Sequence, residues 1–492
     1  MANTVVDTDK RYVGVKETLT YGLANAGQVF GYNLVASGGY LSLFFTKVFG
    51  VPTEAVASMI FFLGIWDTIN DPLMGSIVDK TRTRYGKLRP YLMFVPLPLA
   101  ISIIFLFAGP VVLGDNASSL SKILYMYISY FIWEFFYTIG DIPFWGLSAA
   151  ISPSPCDRTR AISSARIISS IIGGISTPML VVLMDLSNNG TISLPLTHVF
   201  LLMAVLSAIF CVGLFSLAGF KTKERVVQSI KEPSVIDGFK VLFKNKPLML
   251  IVISNVIGAI TGIGGVFQAY YYSEVMEMNS LVIIIAIPGT VLGFLTYLLI
   301  PLVKKRFDNR QIMFLNGFAR LIVGSAVFFI GAKHFKNVYV VVPLLCIQNL
   351  VFSFFDTIKM VIPTEMIGDT IDYMEWKTGE RNEGVSFSVL TFVGKLTGSM
   401  STALGTALLP LIGLSFQKIS ATETITIKQY ANTDLYIWGL FTFAPVILNM
   451  FTLIPYIWYD LTGEKLNKIR GDMAERRAEL SKQMGGNDNE QQ

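Results

Sequence analysis

The sequence predicts an all-α membrane protein with twelve transmembrane helices in two six-helix bundles. Of its 492 residues, 52% are hydrophobic and only 15% are charged, and the mean hydropathy is +0.56. Soluble domains carry about 25% charged residues, so this composition excludes a water-soluble protein. Apolar stretches of about 20 residues or more, the length that crosses a bilayer as a helix, recur along the whole chain.

The apolar stretches form two sets of six on either side of a polar connector. In the first half they cover residues 18–46, 55–78, 91–113, 122–150, 161–184 and 197–219, and in the second half 248–273, 280–303, 311–332, 339–366, 384–413 and 431–461. The expected domains are an N-terminal segment 1–17, a first bundle 18–219, a central loop 220–247, a second bundle 248–461 and a tail 462–492. Six helices followed by six is typical of a secondary transporter, with a substrate site between the halves near the bilayer midplane.

Lysine and arginine collect in alternate loops, which predicts the orientation of the chain. The loop at 80–89, the central loop and the loop at 304–310 are rich in basic residues, and the intervening loops are poor in them. By the positive-inside rule, both termini are expected in the cytoplasm and the spans in the cell (inner, cytoplasmic) membrane. The net charge of +5 therefore indicates no nucleic-acid partner. Three cysteines without metal-ligand spacing predict no zinc site.

The second span contains two carboxylates and an amide, at Asp67, Asn70 and Asp71. Asp67 and Asp71 are four residues apart, so a helix places them on one face, one turn apart. A carboxylate at the bilayer centre costs about 2.5 to 3.5 kcal/mol and usually lines a polar cavity or an ion pathway. The pair predicts a functional site, with a structural salt bridge as the alternative. For Asp356 and Lys359, three residues apart, a simple intrahelical ion pair is an equally good explanation.

The fourth span presents a polar face whose members are spaced three or four residues apart. They are Glu134, Tyr137, Thr138, Asp141 and Trp145. Beside Asp67 and Asp71, Asp141 adds a third carboxylate, and three carboxylates in a low dielectric repel one another unless a cation or a proton neutralises them. The Thr138 hydroxyl and the Asn70 amide supply further oxygens, which favours sodium over a proton.

Two basic residues within predicted spans indicate a polar ligand. Arg166 lies in the fifth span and Lys395 in the eleventh, and with Asp141 and Trp145 they predict a charged pocket with an aromatic wall. Carboxylates accept hydrogen bonds from sugar hydroxyls, Arg donates them, and an indole face packs against a pyranose. Charge compensation is the alternative role for Arg166 and Lys395.

Five sequence motifs occur in a characteristic order along the chain. They are WDTINDP at 66–72, GSIVDKTRTRYGKLRP at 75–90, DIPFW at 141–145, DTIDY at 369–373 and EG at 383–384. In these motifs, and over nearly its whole length, the chain resembles the glycoside-pentoside-hexuronide:cation symporters. These form the melibiose-permease-like branch of the major facilitator superfamily, so the resemblance implies that superfamily's fold and cation-coupled sugar transport.

The resemblance implies roles for individual residues. It places a cation site, for sodium, at Asp67, Asn70, Asp71, Thr138 and Asp141. It places a sugar pocket at Tyr137, Asp141, Trp145, Arg166, Thr391 and Lys395. The loop 75–90 is similar to one that helps to hold the inward-closed arrangement, and its gating candidates are Asp79, Arg84, Gly86, Lys87 and Arg89.

The first span departs from the pattern of the melibiose carriers. Those carriers have a Lys-Asp pair after a glycine, and the Asp grips the galactosyl group, whereas Gln28 follows Gly27 here. This departure argues against α-galactoside specificity. Gln28 stays a candidate sugar contact. Glu134, which stands where those carriers have glycine, is the candidate for the missing acid.

The expected function is import of a sugar or glycoside (oligosaccharide, pentoside or hexuronide) by symport with sodium, or with lithium or a proton, through alternating access. The expected partners are that sugar, the monovalent cation and membrane lipid, with no cofactor and a monomer as the functional unit. Two alternatives keep the fold: a sodium-coupled lysolipid carrier, which the polar Glu134, Arg166 and Lys395 disfavour, and a sensor without transport. A channel or a membrane enzyme lacks support, because the sequence shows no selectivity-filter repeat and no nucleophile with a positioned base.

Overall fold

The computed structural model describes residues 11–36, 38–114, 116–226, 245–378, 383–418, 424–469, 471–473 and 475. Within these residues the chain is almost entirely helical, as predicted. Most of the predicted central loop and the end of the predicted tail lie outside them.

The first half of the chain is a succession of helices. They are α1 (Val15–Ala36), α2 (Gly38–Leu43), α3 (Thr53–Lys80), α4 (Arg89–Phe94), α5 (Pro96–Phe107), α6 (Gly109–Leu113), α7 (Ser119–Ala150), α8 (Pro155–Ile172), α9 (Ser176–Asn188), α10 (Leu196–Phe210) and α11 (Leu217–Lys221). Helices satisfy every backbone hydrogen bond within one segment, as hydrocarbon surroundings require. Pro90, Pro96 and Pro110 lie in the first turns of α4, α5 and α6, where the missing N–H removes no helical bond.

The second half contains longer helices and a small antiparallel hairpin. The elements are α12 (Lys246–Ala259), α13 (Ile263–Tyr270), α14 (Leu281–Lys304), α15 (Asn309–Gly331), α16 (Val338–Thr378), α17 (Glu383–Leu411), β1 (Leu414–Lys418), β2 (Thr424–Lys428), α18 (Thr433–Thr442), α19 (Ala444–Phe451) and α20 (Ile454–Ile457). The two strands pair from Leu414 opposite Lys428 to Lys418 opposite Thr424.

Two elements differ from the sequence prediction. The span predicted at 339–366 is part of α16, which is 41 residues long and continues to Thr378 with Pro343 and Pro363 inside it. The hairpin lies between the predicted spans 384–413 and 431–461, where only a loop is expected, so the protein is not wholly α-helical. In β2, Ile425 and Ile427 alternate with threonines, a period-2 pattern of β-branched residues that is typical of a strand.

In the part of the chain that the structure describes, three short π-helical segments interrupt the regular helices, at Phe44–Val48, Cys211–Phe215 and Tyr271–Val275. The first and third follow the opening helices of the two halves. Their sequences share one pattern, Phe-Phe-Thr-Lys-Val and Tyr-Tyr-Ser-Glu-Val: two aromatic residues, a hydroxyl, a charge and valine.

By length and apolar composition, seven helical stretches among the described residues can cross a membrane. They are Cys156–Asn188, Leu196–Lys221, Lys246–Val275, Leu281–Ile300, Asn309–Gly331, Val338–Lys359 and Thr433–Ile457. The chain is therefore a multi-pass helical membrane protein. The count of twelve spans and the predicted domain limits stay predictions.

The chain divides into two compact units. The first unit comprises Met1–Lys231, Ile263–Ile283 and Ser399–Ile437, and the second comprises Glu232–Gly262, Ile284–Gly398 and Trp438–Gln492. The first unit thus contains the whole first half together with the turn after α13, the end of α17 and the hairpin.

Close packing of α1 positions one side of the functional site. A Cβ atom at Gly27 would lie 2.6 Å from the carbonyl oxygen of Phe210, and one at Gly22 would lie 2.5 Å from Ile168. Small residues of this kind let membrane helices approach closely. Tyr21 stacks on Phe144 of α7 at a centroid distance of 4.5 Å and donates a hydrogen bond to its carbonyl oxygen. These contacts fix α1 against its neighbours.

Candidate functional site

Asp141 of α7 is the centre of a polar cluster in the first unit. Its Oδ1 accepts hydrogen bonds from Gln28 Nε2 at 2.7 Å and from Trp145 Nε1 at 3.1 Å, and the Tyr137 hydroxyl donates to it at 3.5 Å. Tyr137 and Trp145 lie one turn before and after Asp141, as their spacing predicts. Gln28 comes from α1. The residue at which the first span differs from the melibiose carriers therefore contacts the predicted pocket.

Arg166 completes this cluster from α8. Its guanidinium carbon lies 4.5 Å from the centre of the Trp145 ring, a cation–π contact, and its side chain is exposed. Because the indole also donates to Asp141, Trp145 holds a carboxylate at its edge and a cation on one face. The prediction that Asp141, Trp145 and Arg166 lie together therefore agrees with the structure.

A stack of aromatic rings extends from this cluster along α7. Tyr137 stacks on Tyr32 of α1 at 4.9 Å and on Trp133 at 5.4 Å, and Trp133 contacts Tyr130 at 5.4 Å. Glu134 is buried and hydrogen-bonded to Tyr130. Sequence reasoning missed Tyr32, whose position four residues after Gln28 was the available signal.

Helix α3, which carries Asp67, Asn70 and Asp71, packs against α7. Asp67 lies near Tyr130 and Tyr137 of α7. The side chains of Asn70 and Thr138 are buried. Within the part of the chain that the structure describes, the Asn70 Nδ2 and Thr138 Oγ1 atoms have no hydrogen-bond partner.

The predicted cation-binding carboxylates lie on two helices, Asp67 and Asp71 on α3 and Asp141 on α7. No group of three His, Cys, Asp or Glu side chains that could hold a metal ion occurs among the described residues. The cation site stays a prediction. Spacing along a helix places residues on a face, but it does not fix the separation between two helices.

The remaining predicted pocket residues belong to the second unit. Thr391 and Lys395 lie on α17, and the side chain of Thr391 is not described. Asp356 forms an ion pair with Arg320 of the adjacent helix α15, a partner that the spacing of Asp356 and Lys359 within one helix did not indicate.

The predicted gating loop is held by an acid that sequence reasoning missed. Glu224, beyond α11, accepts hydrogen bonds from the backbone N–H groups of Lys87, Leu88 and Arg89 at 2.8–2.9 Å. A carboxylate is well placed there, because the N–H groups at the start of α4 have no helical partners. Arg89 Nε also donates to the Gly219 carbonyl oxygen at 2.9 Å. These bonds join the loop to the end of the sixth predicted span.

A bidentate ion pair lies at the same end of the first unit. Arg225 donates to both carboxylate oxygens of Glu17, at 2.9 and 2.7 Å. These hydrogen bonds raise the pKa of the Arg225 guanidinium above its ordinary value. Among the other gating candidates, Arg84 lies over the Tyr85 ring at 4.7 Å, and the side chain of Asp79 is outside the described part. The gating role stays a prediction.

Gly86→Ala is expected to destabilise the protein by about 1–3 kcal/mol. Gly86 has φ +113°, and a Cβ there would lie 2.5 Å from a carboxylate oxygen of Glu224. The substitution strains the backbone and displaces the acid from its three N–H donors. Thermal unfolding of the purified protein in detergent measures the effect. Gly174→Ala is the control, because a Cβ at Gly174 meets nothing within 4 Å; equal melting temperatures for both variants would contradict the expectation.

The opposite end of the first unit, which carries the hairpin, contains a buried ion pair. Lys47 Nζ lies 2.6 Å from Glu274 Oε1, and the two side chains are 17% and 4% exposed. The hydroxyls of Ser273 and Thr426 donate to the same carboxylate at 2.7 and 2.6 Å. Thr424 of the hairpin donates to the Lys47 carbonyl oxygen at 2.9 Å. The hairpin therefore braces both π-helical ends.

A second acid, Asp185, joins two helices at the hairpin end of the first unit. Asp185, at the end of α9, accepts from the backbone N–H groups of Asn279 and Ser280 at 2.7 Å and from Asn279 Nδ2 at 2.9 Å. Sequence reasoning missed Asp185, Lys47 and Glu274. All three stand near predicted span ends, where charges usually face water, so pattern alone gave no signal for them.

Known proteins with similar sequences or structures are membrane transporters. The sequence model of the MFS/sugar transport protein family matches residues 20–463. The symporter YjmB of Bacillus subtilis (strain 168) is 30% identical over 428 residues, which cover 84% of this chain and 87% of that protein. The isoprimeverose transporter of Lactiplantibacillus pentosus is 27% identical over 391 residues, 78% of each protein. The crystal structure of a D-xylose-proton symporter shares the fold, with a TM-score of 0.59 at 12% identity over 91% of this chain and 97% of that one.

The repeated membrane-crossing helices, the fold shared with the D-xylose-proton symporter and the matching family model together define a multi-pass transporter and not an enzyme. This class was predicted from the sequence. The chain belongs to the MFS/sugar transport protein family. The predicted family and fold are thereby confirmed.

Proposed function

We propose that this protein imports a sugar or glycoside across the cell membrane by symport with sodium. The observation that carries the proposal is the polar cluster around Asp141. Gln28, Tyr137 and Trp145 donate hydrogen bonds to the Asp141 carboxylate, and Arg166 covers one face of the Trp145 indole. Such a set suits a neutral polyhydroxylated ligand, because carboxylate, amide and guanidinium groups exchange hydrogen bonds with hydroxyls. The relative named an isoprimeverose transporter supports a sugar cargo.

Gln28 is proposed as the residue that sets sugar specificity in the first span. Its Nε2 donates to Asp141, and its buried Oε1 has no hydrogen-bond partner among the described residues. A buried amide oxygen without a partner is unfavourable, so a ligand hydroxyl that donates to it gains affinity. The melibiose carriers bind a galactosyl group with an acid in this span. The neutral amide of Gln28 therefore favours a sugar other than an α-galactoside.

The proposed cation site comprises Asp67, Asp71 and Asp141 with the oxygens of Asn70 and Thr138. The buried Thr138 hydroxyl supports this proposal, because it lacks a protein partner among the described residues and a sodium ion prefers oxygen ligands. Sodium that enters between α3 and α7 neutralises the carboxylates and draws them together. The same movement orders Asp141 for the sugar, so the two ligands favour each other reciprocally.

The energy available from sodium is sufficient for concentrative uptake. At one sodium ion per sugar, a tenfold gradient supplies about 1.4 kcal/mol and a potential of 100 mV about 2.3 kcal/mol. Together these terms support roughly 500-fold accumulation. Lithium or a proton in place of sodium would use the same carboxylates. The proposed orientation has both termini in the cytoplasm, and a monomer is proposed as the functional unit.

Alternating access is proposed to use the two ends of the first unit in turn. At one end, Glu224 holds the loop that carries Gly86, Lys87 and Arg89. At the other, the Lys47–Glu274 pair and the hairpin close the proposed outer side. Substrate entry from outside requires that the second set of contacts opens while the first holds.

Glu134→Gln is expected to weaken sugar uptake by about tenfold, the effect of losing one charged hydrogen-bond acceptor. Glu134 is buried one turn before Tyr137 and is hydrogen-bonded to Tyr130, so its charge is held beside the aromatic stack. Initial rates of uptake into cells measure the change. Phe131→Leu, an exposed position on the same helix, is the control. Uptake that is unchanged in Glu134→Gln would remove the acid from the sugar site.

The proposal is tested by uptake into membrane vesicles with and without an inward sodium gradient. The panel comprises isoprimeverose, a β-xyloside, a β-glucoside, an α-galactoside and a glucuronide, each radiolabelled. Sodium-dependent accumulation of one member, with little of the α-galactoside, is expected. Parallel gradients of lithium and of protons identify the coupling ion. Lysolipid uptake without sugar uptake, or sugar binding without flux, would overturn the proposal in favour of a lipid carrier or a sensor.

A further inference from the structure

A groove of about 710 Å³ opens on the second unit, where the turn between α14 and α15 meets the end of the last helices. Arg306 and Phe307 line it from the turn, and Arg310, Leu315 and Phe318 line it from α15. By length and composition α15 can cross a membrane; the basic residues of the groove lie before its start and in its first turn, and Leu315 and Phe318 lie farther along it.

The basic residues of the groove are not neutralised by its one acid. The Asp308 carboxylate caps α15 by accepting from the Gln311 backbone, and Gln311 Oε1 accepts from the Asp308 N–H at 3.0 Å. Within the described residues, the Arg306 guanidinium has neither a hydrogen bond nor an ion pair. Arg310 is held in place, because it donates to the Ile457 carbonyl oxygen at 2.9 Å. One unengaged cation and one oriented cation therefore share the groove.

The other wall of the groove is apolar and uncovered. Phe307 and Leu315 are each 41% exposed, and Phe318 is 50% exposed. Leu315 and Phe318 are three residues apart, so they follow one face of α15 away from the basic turn. A ligand that fits both walls has an anionic head at one end and a hydrocarbon tail at the other.

We propose that this groove binds an anionic phospholipid. Arg306 and Arg310 hold the phosphate, and one acyl chain lies along Leu315 and Phe318. Guanidinium groups pair with phosphate in a fixed bidentate geometry, and basic pockets at the cytoplasmic side of membrane helices recognise anionic headgroups. The site lies wholly in the second unit and does not depend on the proposed sugar or sodium site. The proposal thus specifies where the expected lipid partner binds and that its headgroup is anionic.

Native mass spectrometry of the full chain in detergent tests the proposal with phosphatidylglycerol and phosphatidylcholine as probes. Phosphatidylglycerol is expected to bind more tightly, and Arg306→Gln is expected to lower that affinity about fivefold, the equivalent of about 1 kcal/mol for one basic residue at a membrane surface. Lys305→Gln is the matched control, because it removes the same charge from the adjacent residue, which does not line the groove. Glycerol 1-phosphate in excess is expected not to displace the lipid.

Two further variants complete the test. Phe318→Ser is expected to weaken both lipids, because it removes part of the acyl wall, and thermal unfolding verifies that each variant is folded. Equal affinity for the two lipids overturns the proposal, as do equal losses in Arg306→Gln and Lys305→Gln. Displacement by glycerol 1-phosphate would identify a site for soluble phosphates and would likewise overturn it.

Discussion

Asp141→Asn is expected to abolish sugar accumulation and to weaken sugar binding about 10- to 100-fold. The substitution keeps the shape of the side chain but removes the negative charge of the carboxylate, which accepts hydrogen bonds from Gln28, Tyr137 and Trp145. A hydrogen bond to a charged group contributes about 1.5–3 kcal/mol, which corresponds to that range of affinity. Coupling is lost as well, because the proposed cation site shares this carboxylate. Binding by isothermal calorimetry and uptake into vesicles measure the two effects.

Asp460→Asn is the control for the Asp141 variant. Asp460 is a half-exposed acid in a surface ion pair with Lys465, and exposed pairs of this kind contribute little. This control should transport like the unchanged protein. Accumulation that survives in Asp141→Asn at the control level would contradict the central position given to this residue.

Glu274→Gln is expected to open the hairpin end of the first unit. The amide preserves contacts to Ser273 and Thr426 but leaves the buried Lys47 ammonium without its counter-ion, which costs about 3–5 kcal/mol. Ser42 is fully buried and is hydrogen-bonded to Tyr270, one residue before the π-helical segment that contains Glu274, so a cysteine in its place reports on opening. Labelling by a membrane-impermeant thiol reagent applied outside should accelerate more than about tenfold.

The labelling experiment requires a protein whose native cysteines at 156, 211 and 346 are replaced by alanine. The double variant Lys47→Met/Glu274→Gln should label more slowly than Glu274→Gln alone, because removing both charges of a buried pair costs less than removing one. Lys465→Gln, at the surface pair, should leave labelling unchanged. Identical rates in Glu274→Gln and Lys465→Gln would show that the buried pair does not hold this end closed.

The sequence predicted those parts of the site that depend on spacing within one helix. Tyr137, Asp141 and Trp145 lie on one face of α7 because they are four residues apart, and the structure joins them. The family and the fold were predicted from five sequence motifs that occur in the family's characteristic order along the chain. Gln28 was singled out by its departure from a pattern, and the structure joins it to Asp141 by a hydrogen bond.

Contacts between distant segments could not be predicted in the same way. Glu224 stood in a basic connector and looked like an ordinary solvated charge, yet it binds three backbone N–H groups about 136 residues earlier in the chain. The Lys47–Glu274 pair joins residues 227 positions apart. No periodicity records such a pairing, because it depends on how the helices pack. The separation of α3 from α7 is likewise a packing property, so spacing along each helix does not fix the distances between Asp67, Asp71 and Asp141.

The two matching π-helical segments differ in the one place that joins them. Major facilitator halves are repeats related by an axis along the membrane normal, and Lys47 and Glu274 each occupy the fourth place of their segment. Two segments of identical sequence would place like charges at these positions, and like charges repel. The salt bridge therefore depends on a departure from the repeat, because only opposite charges at the two fourth places attract each other.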